Sequence, residues 1–363
     1  MASVTFSRWE PSRKKRDWRY SRAQARVVVY SVGLILAAAV IGEVGLRVAE
    51  VCYEQTLAAV LAGAKHPLPP GAVLGGQTVN SLGYVDDDFA PEPMPGRTRV
   101  ALLGGRATLA GDAATNLAAQ LEARLPGVEI QHFGIPAGNP AQYAAQLKRD
   151  VLRFQPQFVL VCLSPADDVA ATETPAAWSR MRLFDATRWM TDPNRPAYRP
   201  EVALKNLTET ADYETYVRRR TAPVAACRTD DDDASQRQWK AAQAALGKLV
   251  DRCRERNIGV AAVLMPADFQ LSPQLADALQ RRVGLNQKQI DVQSPQRRWT
   301  AWTDHLQLPS LDLLPTFLAA EAVLFETSSP DWNARGRTLA AETTARWLQP
   351  QLGNNTIVMK TGD

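Results

Sequence analysis

Residues 100–111, VALLGGRATLAG, constrain this chain most. Four apolar residues in a row suit a strand buried on both faces, two glycines then allow a tight turn, and a helical pattern follows. Strand, glycine turn and helix in that order is where α/β enzymes present a nucleophile or cradle a phosphate. Here the turn carries Arg106. A guanidinium stays protonated in proteins and cannot attack a carbonyl.

The same alternation recurs along the chain. Short apolar runs predict strands at 100–104, 128–133, 158–163, 260–265 and 308–313. Helices are expected between them. Leu117, Leu121 and Leu125 form one stripe, and Asn139-Pro140 is a cap followed by proline in the first turn, turning Tyr143, Leu147 and Val151 inward. Residues 233–255 and 333–348 are the other long helical stretches, the last with Leu339, Thr343 and Trp347 on one side. Strand–helix alternation of this kind predicts an α/β three-layer sandwich around a mostly parallel five-stranded sheet. Residues 169–232 break the rhythm and read as an insertion near the strand ends where such sheets bind ligands. Its aromatics (Trp178, Phe184, Trp189, Tyr198, Tyr213 and Tyr216) either cover a small core of their own or form an interface. The acidic run 230–233 suits a helix N-terminus, with Asp233 as cap, better than a metal. With His66, His132 and His305 scattered and no C-x-x-C pattern, neither metal nor cofactor is expected.

Charge is concentrated at the start. Residues 1–26 carry a net +6 of the chain's formal +4, which leaves the remainder near −2 and argues against nucleic-acid binding. Residues 27–42 then contain no charge. A bilayer-spanning helix needs about 20 residues, and 27–46 supplies them if Glu43 sits at the interface. Basic residues before the span predict the N-terminus inside. The expected organisation is a basic cytoplasmic tail (1–26), a signal anchor in the cytoplasmic membrane (27–46), a helical stalk and linker (47–78), an extracytoplasmic, periplasmic domain (79–350) and a tail (351–363). A cleaved signal peptide ending near Ala37-Ala38-Ala39, or a buried helix of a soluble protein, are the alternatives. An exported domain permits a disulfide, and Cys227 with Cys253 is the one plausible pair.

Four blocks in order, with one further segment before them, resemble the SGNH/GDSL hydrolase superfamily, particularly its membrane-anchored bacterial members. Before the first strand stands Asn80-Ser81-Leu82-Gly83-Tyr84-Val85-Asp86. Block I reads Leu103-Gly104-Gly105-Arg106 through Gly111, and block II His132-Phe133-Gly134-Ile135-Pro136-Ala137-Gly138. Block III ends Ser164-Pro165-Ala166-Asp167-Asp168, and the last block reads Ser329-Pro330-Asp331-Trp332-Asn333-Ala334-Arg335-Gly336. The resemblance implies a pocket formed by Gly104, Gly105, Gly134, Gly138, Asp168 and Asn333.

The working positions all depart from that pattern. Arg106 stands for the nucleophilic serine, Asp167 for the asparagine that donates to the oxyanion, Asp331 for the histidine base, and Ser329 or Ser328 for the acid that orients it. Acyl transfer needs a hydroxyl or thiol beside an oriented base, and donors where negative charge develops. No catalytic residue is therefore expected. The residues that replace the catalytic set imply an ion pair of Arg106 with Asp331, Asp167 or both. Three functions follow: a pseudoenzyme binding a partner protein or an envelope glycan; an active esterase or O-acetyltransferase using Thr108 or Ser164 with His132; or a structural subunit of a membrane complex.

Overall fold

A computed structural model describes residues 22–53, 67–136, 138–172, 204–205, 207, 212–229 and 233–360. The first described element is the helix α1 (Arg22–Tyr53). Its stretch Gln24–Leu46 is long and apolar enough to cross a membrane, and none of it is buried against the body.

The body is built on five parallel strands, β3 (Thr98–Gly104), β4 (Val128–Gly134), β5 (Phe158–Leu163), β6 (Gly259–Leu264) and β7 (Ser310–Asp312), in the spatial order β4-β3-β5-β6-β7. A short antiparallel pair, β1 (Val73–Leu74) and β2 (Gln77–Thr78), precedes them. Side chains alternate across the sheet, as the pleat requires. Ala101, Leu103, Val159 and Val161 enter one core, and Val100, Leu102, Leu160 and Cys162 the other.

Helices cover both faces. The second core takes α2 (Leu117–Arg124) through Leu117 and Leu121. The first takes α3 (Pro140–Gln146) through Tyr143, continued by a π-turn (Leu147–Val151) that buries Leu147 and Val151. Asn139 caps its helix as expected, accepting from Gln142 N–H, and Asn116 caps α2 in the same way, accepting from Ala119 N–H. Next come α4 (Pro165–Ala170), α5 (Tyr213–Arg219), α6 (Thr221–Ala225) and α7 (Asp233–Glu255). The last group is α8 (Asp268–Leu271), α9 (Pro273–Val283), α10 (Ser294–His305), α11 (Leu314–Ala319) and α12 (Ala334–Lys360). Trp239 of α7 and Trp299 of α10 fill the first core, while Phe317 of α11 and Ala340, Ala341 and Leu348 of α12 close the second.

Several expectations are corrected. Residues 67–78 are no linker. Leu68 is fully buried with Val79, Val85 and Leu109, and the Leu68 and Gly71 N–H groups donate to the Gly83 and Val79 carbonyls. The stretch carries apolar side chains that the body covers, so it belongs to the body. The tail after 350 is helical through Lys360, with Pro350 inside the helix. Strand β7 has three residues rather than six. Helix α7 begins at Asp233, which therefore lies inside its first turn. The insertion starts later than 169, because Val169 is a core residue of α4. Its far end returns to the same core through Tyr216, Val217, Val224 and Cys227, while Tyr213 is exposed. Trp178, Phe184, Trp189 and Tyr198 lie outside the described residues. Cys227 and Cys253 are both free, buried thiols, as is Cys162.

One buried cation holds the entrance to β3. Arg99 is fully buried and pairs with Glu129 of β4 through Nε (3.1 Å) and Nη2 (2.9 Å). Its remaining N–H groups donate to the carbonyls of Ala90, Pro91, Glu92 and Phe154. Strand, neighbouring strand and the segment 90–92 thus meet on one side chain.

Candidate functional site

Strand β3 ends at Gly104, opposite Gly134 of β4 and Cys162 of β5. The absence of a side chain at Gly104 and Gly134 lets these strand ends pack closely against Cys162, Thr108 and His132. A Cβ on Gly134 would lie 2.5 Å from His132 Nε2 and 2.6 Å from Thr108 Oγ1. A Cβ on Gly138 would run into the Tyr143 ring. Above these ends opens a cleft of about 300 Å³, reached by Gly105, Arg106, Gly138, Ser164, Asp167, Asp168 and Arg220 and walled by Pro136, Pro223, Pro266 and Pro330.

Arg106 opens the single 3-10 turn after β3 and reaches across the cleft mouth. Its Nε and Nη2 donate to the two oxygens of Asp331 at 2.8 and 2.7 Å. This is the fork-on-carboxylate geometry that makes such pairs strong and directional. Ser329 supports it by donating its hydroxyl to Asp331 Oδ2 at 2.9 Å. The expected Arg106–Asp331 pair is present, and Asp167 takes another partner. Arg220, between α5 and α6, donates to Asp167 and, at 3.1 and 2.5 Å, to Asp268 of α8. Neither Arg220 nor Asp268 was singled out from sequence. Their partners are 48 and 53 residues away, and only the fold brings them together.

Asp168 lies on the cleft floor and is 1% exposed. It accepts from Ser164 N–H at 3.1 Å and from the Tyr143 hydroxyl at 3.2 Å. Burial, reinforced by the charge on Asp167, holds its carboxyl well above the usual carboxylate range. Asp268 is likewise pushed up by burial and by Asp167.

The implied pocket is therefore partly right. Gly105, Gly138 and Asp168 line it, whereas Gly104 and Gly134 lie at the strand ends away from its lining. Asn333 stands at the start of α12, where its Oδ1 accepts from Gly336 N–H and its Nδ2 donates to the Val323 carbonyl. The alternative nucleophiles differ in access. Thr108 is fully buried and donates to the Gly105 carbonyl at 2.8 Å. His132 is buried with Nδ1 against the Val85 carbonyl (3.3 Å), and burial lowers its pKa to about 4, so it is neutral and out of reach of the cleft. Ser164 does line the cleft.

The segment before β3 is anchored beside this site. Asn80 accepts from Leu82 and Tyr84 N–H, closing a turn over Gly83 at φ +88°. Asp86 accepts from His132 N–H at 2.8 Å, and burial pushes its carboxyl up to about 7. An unfolded aspartate releases its proton near 3.8. The folded state therefore binds more protons across that interval, and stability falls as pH rises through it. Asp86→Asn is expected to gain on the wild type from about pH 4 to about pH 7 and no further above. Urea unfolding across that range checks it, and an equal gain at every pH would refute it.

No protein-family model and no curated protein matches the chain. Among solved structures it is similar to the lipase/acylhydrolase from Enterococcus faecalis, with 12% identity, a TM-score of 0.39, and coverage of 70% of this chain and 96% of that one. It is also similar to a GDSL-like lipase from Bacteroides thetaiotaomicron (10% identity, TM-score 0.38, 72% and 91% covered). A third similarity is to a member of the lipolytic protein G-D-S-L family from Veillonella parvula (9% identity, TM-score 0.40, 69% and 97% covered).

Proposed function

We propose that this chain is a membrane-tethered SGNH-hydrolase-like protein whose cleft binds a ligand or partner and hydrolyses nothing. The observation that carries this reading is the Arg106–Asp331 pair. By the block alignment it occupies the nucleophile and base positions, and both oxygens of Asp331 are engaged by the guanidinium. At the oxyanion position Asp167 presents an acceptor already committed to Arg220. A negative group there opposes the charge that ester hydrolysis develops.

The tether is α1, and the basic residues before it favour a cytoplasmic N-terminus with the body on the far side of the membrane. An envelope glycan or a membrane-protein partner is the ligand this placement favours.

Full-length protein in detergent is expected to give no turnover of nitrophenyl acetate above buffer and no labelling by a fluorophosphonate. Arg106→Ser is expected to stay inactive, because Asp331 replaces the base. Stoichiometric fluorophosphonate labelling of Ser164, with turnover lost in Ser164→Ala, would overturn the reading in favour of an active esterase or transferase.

A further inference from the structure

The segment that carries Asp331 has a fixed base and a tip held from across the cleft. At the base, Phe325 and Trp332 form an antiparallel bridge. Glu326 N–H donates to the Asp331 carbonyl and Asn333 N–H to the Leu324 carbonyl, both at 2.9 Å. The Asn333 side chain adds a bond to the Val323 carbonyl at 2.8 Å. Trp332 is fully buried, its ring 5.2 Å from that of Phe317 in the second core. Gly336 leaves the room this needs, since a Cβ there would lie 2.3 Å from the Leu324 carbonyl oxygen. The base therefore moves only with the core.

The tip is held differently. Among the described residues, the hydrogen bonds of 327–331 stay within the loop, apart from those that Arg106 supplies. Ser329 donates to Asp331 Oδ2 and accepts from Asp331 N–H at 3.2 Å, so it orients the carboxylate without tying the loop to the body. Ser328 stands at φ +53°, a left-handed conformation that a non-glycine residue keeps only where its surroundings impose it. Pro330, next to Asp331, is a wall of the cleft. Of the Arg106 and Asp331 side chains, 29% and 22% is open to solvent. Water and ions reach the pair, and hydration of the separated groups offsets much of the Coulomb gain. It can part without unpacking either core.

We propose that residues 326–331 are a strap across the cleft mouth, hinged at the Phe325–Trp332 bridge and fastened by Arg106 to Asp331. Fastened, the strap holds Pro330 against the mouth. Released, it swings on its fixed base and the mouth widens. The pair is thus a catch between two arrangements of one loop, and whatever shifts its equilibrium sets access to the cleft. The inference rests on the binding reading above for what the cleft admits. The motion itself is measured without a ligand, so either can fail alone.

Pulsed electron paramagnetic resonance on the full-length protein in detergent tests the proposal. One spin label goes on the strap at Thr327→Cys and one on the opposite wall at Ala222→Cys, both exposed positions. Cys52→Ser is the background, the thiols of Cys162, Cys227 and Cys253 being buried. One dominant short distance is expected. Asp331→Asn is expected to raise the ratio of long to short distances at least about tenfold, the loss of a charge-assisted pair, with the melting temperature unchanged. Arg106→Lys is expected to fall between, because it keeps the charge and loses the fork. Raising salt from about 0.05 M to about 0.5 M is expected to lengthen the distances in the parent and to leave Asp331→Asn unaffected. The same single distance in every variant and salt would overturn the strap and show that the base alone fixes the loop. Broadening that also reaches a reference pair at Ala222→Cys and Lys240→Cys, with a lowered melting temperature, would show general loosening and overturn it as well.

Discussion

Arg99→Ala is expected to lower the unfolding free energy by about 3–5 kcal/mol, the range for removing one partner of a buried ion pair. The side chain is wholly buried, and five groups depend on it: the Glu129 carboxylate and the carbonyls of Ala90, Pro91, Glu92 and Phe154. Deleting the guanidinium strands a carboxylate whose side chain is only 11% exposed. Chemical denaturation measures the loss. A companion variant separates the charge from the packing: Arg99→Met with Glu129→Leu removes both charges and is expected to recover part of the deficit. If the pair of substitutions is as damaging as Arg99→Ala, the four carbonyls rather than the ion pair carry the effect.

Arg220→Ala is expected to be comparably severe, again about 3–5 kcal/mol, and to worsen as pH rises. Arg220 has 7% of its side chain exposed and Asp268 4%. Without the guanidinium, Asp268 is a buried carboxyl whose pKa burial already raises. The folded state then retains a proton that the unfolded chain has released, so stability falls with increasing pH above the ordinary carboxylate range. Unfolding near pH 5 and near pH 8 reads the difference. Adding Asp268→Asn to the variant is expected to remove most of the pH dependence, and failure to do so would assign the slope to another group.

The elements that could be read from sequence are those with a strong local signature. Helix α7 spans residues 233–255 as its composition suggests, and the inward stripe Tyr143, Leu147 and Val151 is buried even though the chain passes from α to π geometry within it. The apolar runs of β3 and β5 were unambiguous because both faces are covered. Strand β7 was overdrawn because the apolar flank Leu313 also serves the core beyond the strand, where pairing has ended. Residues 67–78 misled because proline and glycine mark a turn equally well inside a domain and between domains. Whether Cys227 and Cys253 pair was not legible in the sequence, because their spacing carries no information about distance; both are free, buried thiols. The Arg106–Asp331 pair followed from placing four motifs side by side. Arg220 had no such aid: it lies at a helix junction in a segment without a motif, and its role appears only once α4 and α8 are placed around it.

The span between the two ends of the mouth pair has a consequence for how the molecule comes into being. Arg106 and Asp331 are 225 positions apart in the chain. Loop-closure entropy delays contacts of that separation, and synthesis delivers N-terminal segments first. All five strands have been made before Asp331 appears, since β7 ends at Asp312. A nascent chain can therefore contain all five strands of the sheet before the residue that latches the mouth has been made. Closure of the cleft marks completion: the bridge forms only in a molecule whose C-terminal segment has been made and has docked.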